Sequence, residues 1–213
     1  MSDAQTTRTI EGWLIKYNSP SQPITLPTGR KVYEMILPGA FAESVDAINR
    51  GAATVEANIE HVDDAISRIG LSGKNVTVEH RNEGVYATVR LVGDTISADL
   101  FARVQAGLVT GMSVEFEPSP PDAEPAYQLV NGDYVRTWNK LTLAGFAVTT
   151  DPAYPEAQIT KATETAAAPA FTRSLATAEI TRIQAEIERT EATDMKRQHE
   201  FYEHQAYLLG IRK

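Results

Sequence analysis

The hydroxyl best placed for chemistry in this chain belongs to Ser113, in the run Leu108-Val109-Thr110-Gly111-Met112-Ser113-Val114-Glu115-Phe116. There a helix-like stretch ends at a glycine and the residues after it alternate as in a strand. A serine hydroxyl is a weak nucleophile near neutral pH unless a neighbouring base takes its proton and a rigid backbone presents it. Upstream, Ala57-Asn58-Ile59-Glu60-His61 closes a second strand-like run on an imidazole, the side chain best matched to moving a proton near pH 7. A hydroxyl and an imidazole at two strand ends are the parts that nucleophilic acyl transfer requires. The other histidines offer less. His80, between Glu79 and Arg81 before a turn, reads as solvated, and His199 and His204 lack the i, i+4 spacing of a helical metal pair. No metal and no cofactor is expected.

Composition narrows the classes of function. The chain has 213 residues, enough for one filled core plus an appendage, and 42% hydrophobic with 23% charged residues is ordinary for a globular protein. A net charge of -8 argues against nucleic acid as a partner, because a phosphate-binding face needs clustered Lys and Arg. The absence of cysteine excludes disulfides, thiolate nucleophiles and cysteine zinc sites. No apolar run approaches the roughly 20 residues of a membrane span, and Met1-Ser2-Asp3-Ala4-Gln5 lacks the features of a signal peptide, so no membrane partner and a cytoplasmic location are expected.

The elements that must hold Ser113 and His61 can be read from periodicity. Strands are expected at Thr9 to Tyr17, Lys31 to Leu37, Ala53 to His61, Asn75 to Glu79 and Val85 to Val92. Further strands are expected on the Ser113 run, at Tyr127 to Val130, at Tyr134 to Trp138 and at Leu141 to Thr149. Asn82-Glu83-Gly84 and Asn131-Gly132-Asp133 are hairpin signals. One helix should run from Phe41 to Asn49 with Phe41, Val45 and Ile48 inward. A second, capped by Asp94 or Thr95, should reach about Ala106 with Ile96, Leu100 and Val104 inward. Strands dominate without a βαβ rhythm, which predicts a mainly β (α+β) fold: an antiparallel sheet curled into a barrel and decorated by helices. This folded part is expected over residues 1–160. An Ala/Thr/Pro-rich linker follows at 161–174, and a charged C-terminal helix at 175–213 carries a broken heptad on Ile180, Ile183 and Ile187.

Four segments in order, Pro38-Gly39-Ala40-Phe41, His61 at its strand end, Gly111-Met112-Ser113 with Phe116, and Pro152-Ala153-Tyr154-Pro155, resemble the prohead maturation serine proteases of tailed bacteriophages. That family is similar in fold to herpesvirus assemblin, and the likeness covers about residues 8 to 158. The resemblance implies that His61 accepts the Ser113 proton as the hydroxyl attacks a peptide carbonyl, and later protonates the leaving amine. It also implies a third group that orients the imidazole. Many relatives carry an acid on the strand before the Pro-Ala-Tyr segment, whereas Leu143-Ala144-Gly145-Phe146-Ala147-Val148 has none. Asp151 is the first candidate, Glu115 the second because it shares a strand face with Ser113, and His80 the third. The loop after His61 also departs, with Val62 where aspartate is common and Leu71 where an arginine often follows the glycine. Arg68 and the backbone at Gly111 and Met112 are the candidate oxyanion or positioning groups.

By the same resemblance, the expected activity is a serine endopeptidase that cuts the scaffolding segment of the major capsid protein, and its own chain near residues 163 to 174. It would act inside the procapsid in the host cytoplasm, with self-association expected. The rival expectation is a catalytically inactive assembly or scaffolding protein that keeps the same fold, motivated by the missing acid near residue 145 and the altered loop.

Overall fold

Alternation of apolar and polar side chains sets most of the architecture. The computed structural model describes residues 6–121 and 123–165, which form twelve strands and two α-helices. In β1 (Thr7–Lys16) Ile10 and Leu14 point into the core and are fully buried. This strand lies between β12 (Ile159–Thr165) and β7 (Gly84–Leu91), and β6 (Val76–Arg81) completes an antiparallel four-stranded sheet. The β6–β7 hairpin closes at Arg81 opposite Gly84, as its turn residues predict.

Two further four-stranded sheets contain parallel pairings that the hairpin signals did not foretell. One orders β2 (Ile24–Thr25), β3 (Lys31–Ile36), β10 (Asp133–Trp138) and β9 (Ala126–Val130), with β3 and β10 parallel. The other orders β5 (Arg68–Leu71), β4 (Glu56–Ile59), β11 (Leu141–Thr149) and β8 (Gly111–Pro118), with β4 and β11 parallel. The fold is therefore mainly β with helices, but its strands pair as three separate sheets with no closed barrel and not wholly antiparallel. The reason is that parallel partners need long crossovers, so nothing local marks them, whereas antiparallel hairpins announce themselves in their turns.

The helices complete one hydrophobic core. In α1 (Ala42–Asn49) Val45 and Ile48 are buried, and with Phe41 just before the helix they form the expected stripe. In α2 (Thr95–Gln105) the Asp94 carboxylate caps the first turn by accepting from Ser97 N at 2.7 Å. The buried face of α2 is Ser97, Leu100 and Phe101, and Ile96 is exposed. The helix is thus rotated from the expected 96/100/104 face, because turning Phe101 inward buries the larger apolar area. No helix among the described residues is long and apolar enough to cross a membrane.

Strand pairing continues past residue 160, where the linker is expected to begin. Strand β12 takes up the first residues of the expected linker, Lys161 to Thr165, and pairs them with β1 as far as Thr165 opposite Thr7. Three threonines in Ile159–Thr165 favour a strand, but its largely exposed, apolar-poor pattern hides it in the sequence. The remainder of the linker and the expected C-terminal helix lie outside the described residues.

Candidate active site

The sheet of β5, β4, β11 and β8 carries the candidate residues. Its register places Asn58, Ala147 and Ser113 in one cross-strand row and Glu56, Gly145 and Glu115 in the next. Side chains alternate along strands, so these two rows share one face. The intervening residues Ala57, Phe146, Met112 and Val148 face the other way and are fully buried in the core. An apolar reverse face thus fixes which way Ser113 and Glu115 point, since a one-residue slip would turn every core side chain outward.

His61 reaches this face through a strained turn. β4 ends at Ile59, and Val62 N donates to Ile59 O at 3.1 Å, with Glu60 at φ 52° and His61 at φ 57° between them. Two successive positive φ values usually call for Gly, Asn or Asp, and larger L-residues there cost about 1–2 kcal/mol each. Glu60 offsets part of that cost. Its carboxylate accepts from Thr149 Oγ1 at 2.7 Å and from Thr150 N at 2.8 Å, fastening the turn to the end of β11. Burial acts to raise the pKa of Glu60, but the hydrogen bonds from Thr149 and Thr150 and the charge of His61 outweigh it and hold the carboxyl below its usual range.

From this turn the imidazole folds back across the sheet, and its Nδ1 lies 2.6 Å from Glu115 Oε1. The Glu115 carboxylate leans over β11 at Gly145, where a Cβ would come within 2.8 Å of Oε2. His61 comes from beyond the end of β4 and Glu115 from β8, and they meet on the sheet face that also carries Ser113. Ser113 is itself buried, and sits about 6.8 Å along the same strand face from Glu115. No hydrogen bond joins His61 to Ser113 among the described residues. With Nδ1 committed to a carboxylate, however, Nε2 is the ring nitrogen left to accept a hydroxyl proton.

The remaining candidates separate. Asp151 is exposed; its amide donates to Thr149 Oγ1 at 3.2 Å, and no hydrogen bond or ion pair links its carboxylate to His61 among the described residues. His80 lies on β6, in a different sheet, beside the ring of Tyr17. Arg68 pairs across from Asn58 on β5, where its Nε lies 2.7 Å from Glu56 Oε2 and an outer nitrogen 3.7 Å from Asp63. The Met112 amide is already committed, donating to Ala157 O at 2.9 Å. Gly111 is packed against the ring of Pro152, which a Cβ would meet at 2.8 Å.

The segment that contains Pro152 is anchored from the interior. Glu34, only 3% exposed, accepts from Tyr154 Oη at 2.7 Å and from Trp138 Nε1 at 2.8 Å, and Arg136 Nε lies 2.6 Å from it. Burial, and then the negative charge of Glu34, push the Tyr154 phenol far above its ordinary range, so it remains a donor. A buried carboxylate is tolerable here because Tyr154 and Trp138 donate to its oxygens and the positive Arg136 side chain lies beside it, although Arg136 Nε is not directed at an acceptor.

Two contributors escaped the sequence reading. Glu60 was passed over because Glu-His is an unusual pair for a turn of this kind. Asn58 occupies the Ser113 row with only 5% exposure, and its Oδ1 is buried without a hydrogen-bond partner. Its signal in the sequence was weak: a polar side chain two places from Glu56 on a strand face that looked solvated.

Comparison with protein families matches residues 1–171 to the family described as caudovirus prohead serine protease. No curated protein and no solved structure gives a significant match.

Proposed function

Because this chain belongs to the caudovirus prohead serine protease family, we propose that Ser113, His61 and Glu115 form its catalytic triad. In this reading the substrates are the scaffolding segments of capsid subunits and the chain itself, inside the procapsid. The observation that carries the proposal is the hydrogen bond between His61 Nδ1 and Glu115 Oε1 on the face that holds Ser113.

Glu115 accepts from Nδ1–H, fixing the tautomer whose Nε2 lone pair faces the hydroxyl. His61 takes the Ser113 proton as Oγ adds to the peptide carbonyl, and Glu115 stabilises the imidazolium that results. The imidazolium then gives that proton to the leaving amine, the C–N bond breaks and an acyl-enzyme remains. Water, deprotonated by the same imidazole, releases the acid and restores Ser113. Arg68, tied to Glu56 in the neighbouring row, acts as a positioning group for the sheet edge. Gly111 and Met112 fix the start of the serine strand through packing and a backbone hydrogen bond.

The rival reading, an inactive shell protein, drew on the lack of an acid between Leu143 and Val148 and on the altered loop after His61. Glu115 meets His61 from a neighbouring strand, which answers the first of these two motives.

The test uses the full chain, expressed as wild type and as Ser113→Ala, with intact mass followed over time and a fluorophosphonate probe added. We expect labelling at Ser113 and a mass loss in the wild type only. Identical masses and no labelling in both proteins would end the proposal.

A further inference from the structure

Position 145 has no conformational need for glycine, since its φ lies outside the left-handed region. What it has is a neighbour. A Cβ at 145 would stand 2.8 Å from Glu115 Oε2 and 3.4 Å from its Cδ, while the nearest backbone atom, Glu56 O, is 3.5 Å away. Gly145 is the register partner of Glu115, and the β11–β8 pairing shifts register between Leu143 and Gly145, a bulge that re-aims the side chains beside it. The space above Gly145 is therefore where the carboxylate lies.

We infer that Gly145 is a positioning residue of the hydrolytic site: its missing side chain admits the Glu115 carboxylate to His61, and an acid at 145 could fill the same space if 115 were glycine. The inference rests on the triad reading above. Two consequences separate it from a purely structural role for the glycine. First, the only atoms a Cβ would crowd below 3.4 Å belong to the free end of a flexible side chain, so Gly145→Ala should fold normally and displace the Glu115 carboxylate from His61. Second, because 115 and 145 face each other across the strand pair, moving the acid from one to the other keeps it on the same face and in the same row.

The experiment compares the full-length wild type with Gly145→Ala, Glu115→Gly and the double variant Glu115→Gly/Gly145→Glu. Three readouts are taken: thermal melting, the rate of Ser113 labelling by a fluorophosphonate, and the downfield Nδ1 proton of His61 by nuclear magnetic resonance. We expect Gly145→Ala to melt like the wild type yet label at least about tenfold more slowly, and Glu115→Gly to lose more. The double variant should recover most of the rate, and the downfield proton should vanish in both single variants and return in the double. A folded Gly145→Ala with wild-type labelling and an unchanged proton would overturn the inference, as would a double variant no better than Glu115→Gly. If the wild type itself fails to label, the triad reading has failed. The proton signal, which needs no catalysis, then still decides whether the two positions share one acid site.

Discussion

His61 and Glu115 stand 54 positions apart in the chain, yet the imidazole Nδ1 and the carboxylate Oε1 are 2.6 Å from each other. Their meeting depends on β11 between them: it pairs parallel with the strand that leads to His61 and antiparallel with the strand that carries Glu115. Neither hairpin turns nor chain proximity could bring these two groups together.

The proposed triad makes a graded prediction. Ser113→Ala and His61→Ala should each lower peptide hydrolysis by on the order of 10⁴-fold or more, and Glu115→Gln by roughly 10²- to 10⁴-fold, since the acid orients the base without bonding to substrate. Asp151→Asn should remain near wild type. Steady-state rates on a peptide spanning residues 163 to 174 would check the series, and a collapse with Asp151→Asn instead of Glu115→Gln would reassign the acid.

Asn58 predicts a separation of stability from activity. A buried carbonyl oxygen without a partner costs about 1–3 kcal/mol, and replacing such a group by an apolar one of similar shape can be neutral or stabilising. Asn58→Leu is expected to melt at or above the wild-type temperature while hydrolysis slows, the pattern of a site that trades stability for function. Calorimetry paired with kinetics on one protein sample tests this; a destabilised and fully active variant would contradict it.

Acid should loosen the His61 turn. The Glu60 carboxyl sits below its ordinary value of 4.5 in the folded chain, so its contribution to stability is complete above that value and is lost as pH falls through the lower folded value. Melting temperatures from pH 7 downward should decline below pH 4.5 in the wild type, and Glu60→Gln should show less of that decline. Parallel curves for the two proteins would show that Glu60 is not the group responsible.

The interior carboxylate can be weighed directly. Tyr154→Phe removes one donor from Glu34 and should cost about 1–3 kcal/mol in urea denaturation. Glu34→Ala leaves Trp138 and Tyr154 without their acceptor and Arg136 without its neighbouring negative charge, and should cost about 3–5 kcal/mol.

Self-cleavage, if it occurs, has a boundary. Ile159 to Thr165 are hydrogen-bonded to β1, and backbone committed to a sheet cannot also lie extended in a protease groove. The amino-terminal product should therefore end between residues 166 and 174, which the mass of the trimmed chain reads directly. A cut within 159–165 would require that strand to detach first.

Much of this was legible from residue types alone. Hairpins announced by Asn82-Glu83-Gly84 and Asn131-Gly132-Asp133, the Asp94 cap and the Phe41–Val45–Ile48 stripe are local signals, and each stands in the structure. The period of two puts Glu115 on the Ser113 face, whereas closeness to the Pro-Ala-Tyr segment favours Asp151; the β4–β11 pairing that brings His61 to Glu115 is long-range and leaves no local mark. The His61 turn was hidden for a different reason. Its backbone is of a kind that Glu and His rarely adopt, and the hydrogen bonds holding it come from Thr149 and Thr150, some ninety positions away.

The pairing of Thr7 with Thr165 brings both ends of the described fold side by side on neighbouring strands of one sheet. A short loop could join them, and the chain could be reopened at an exposed turn elsewhere, such as Asn131-Gly132, with every strand partner retained. A circularly permuted version of this fold is thus within reach, because the chain enters it at Thr7 beside the point where it leaves at Thr165.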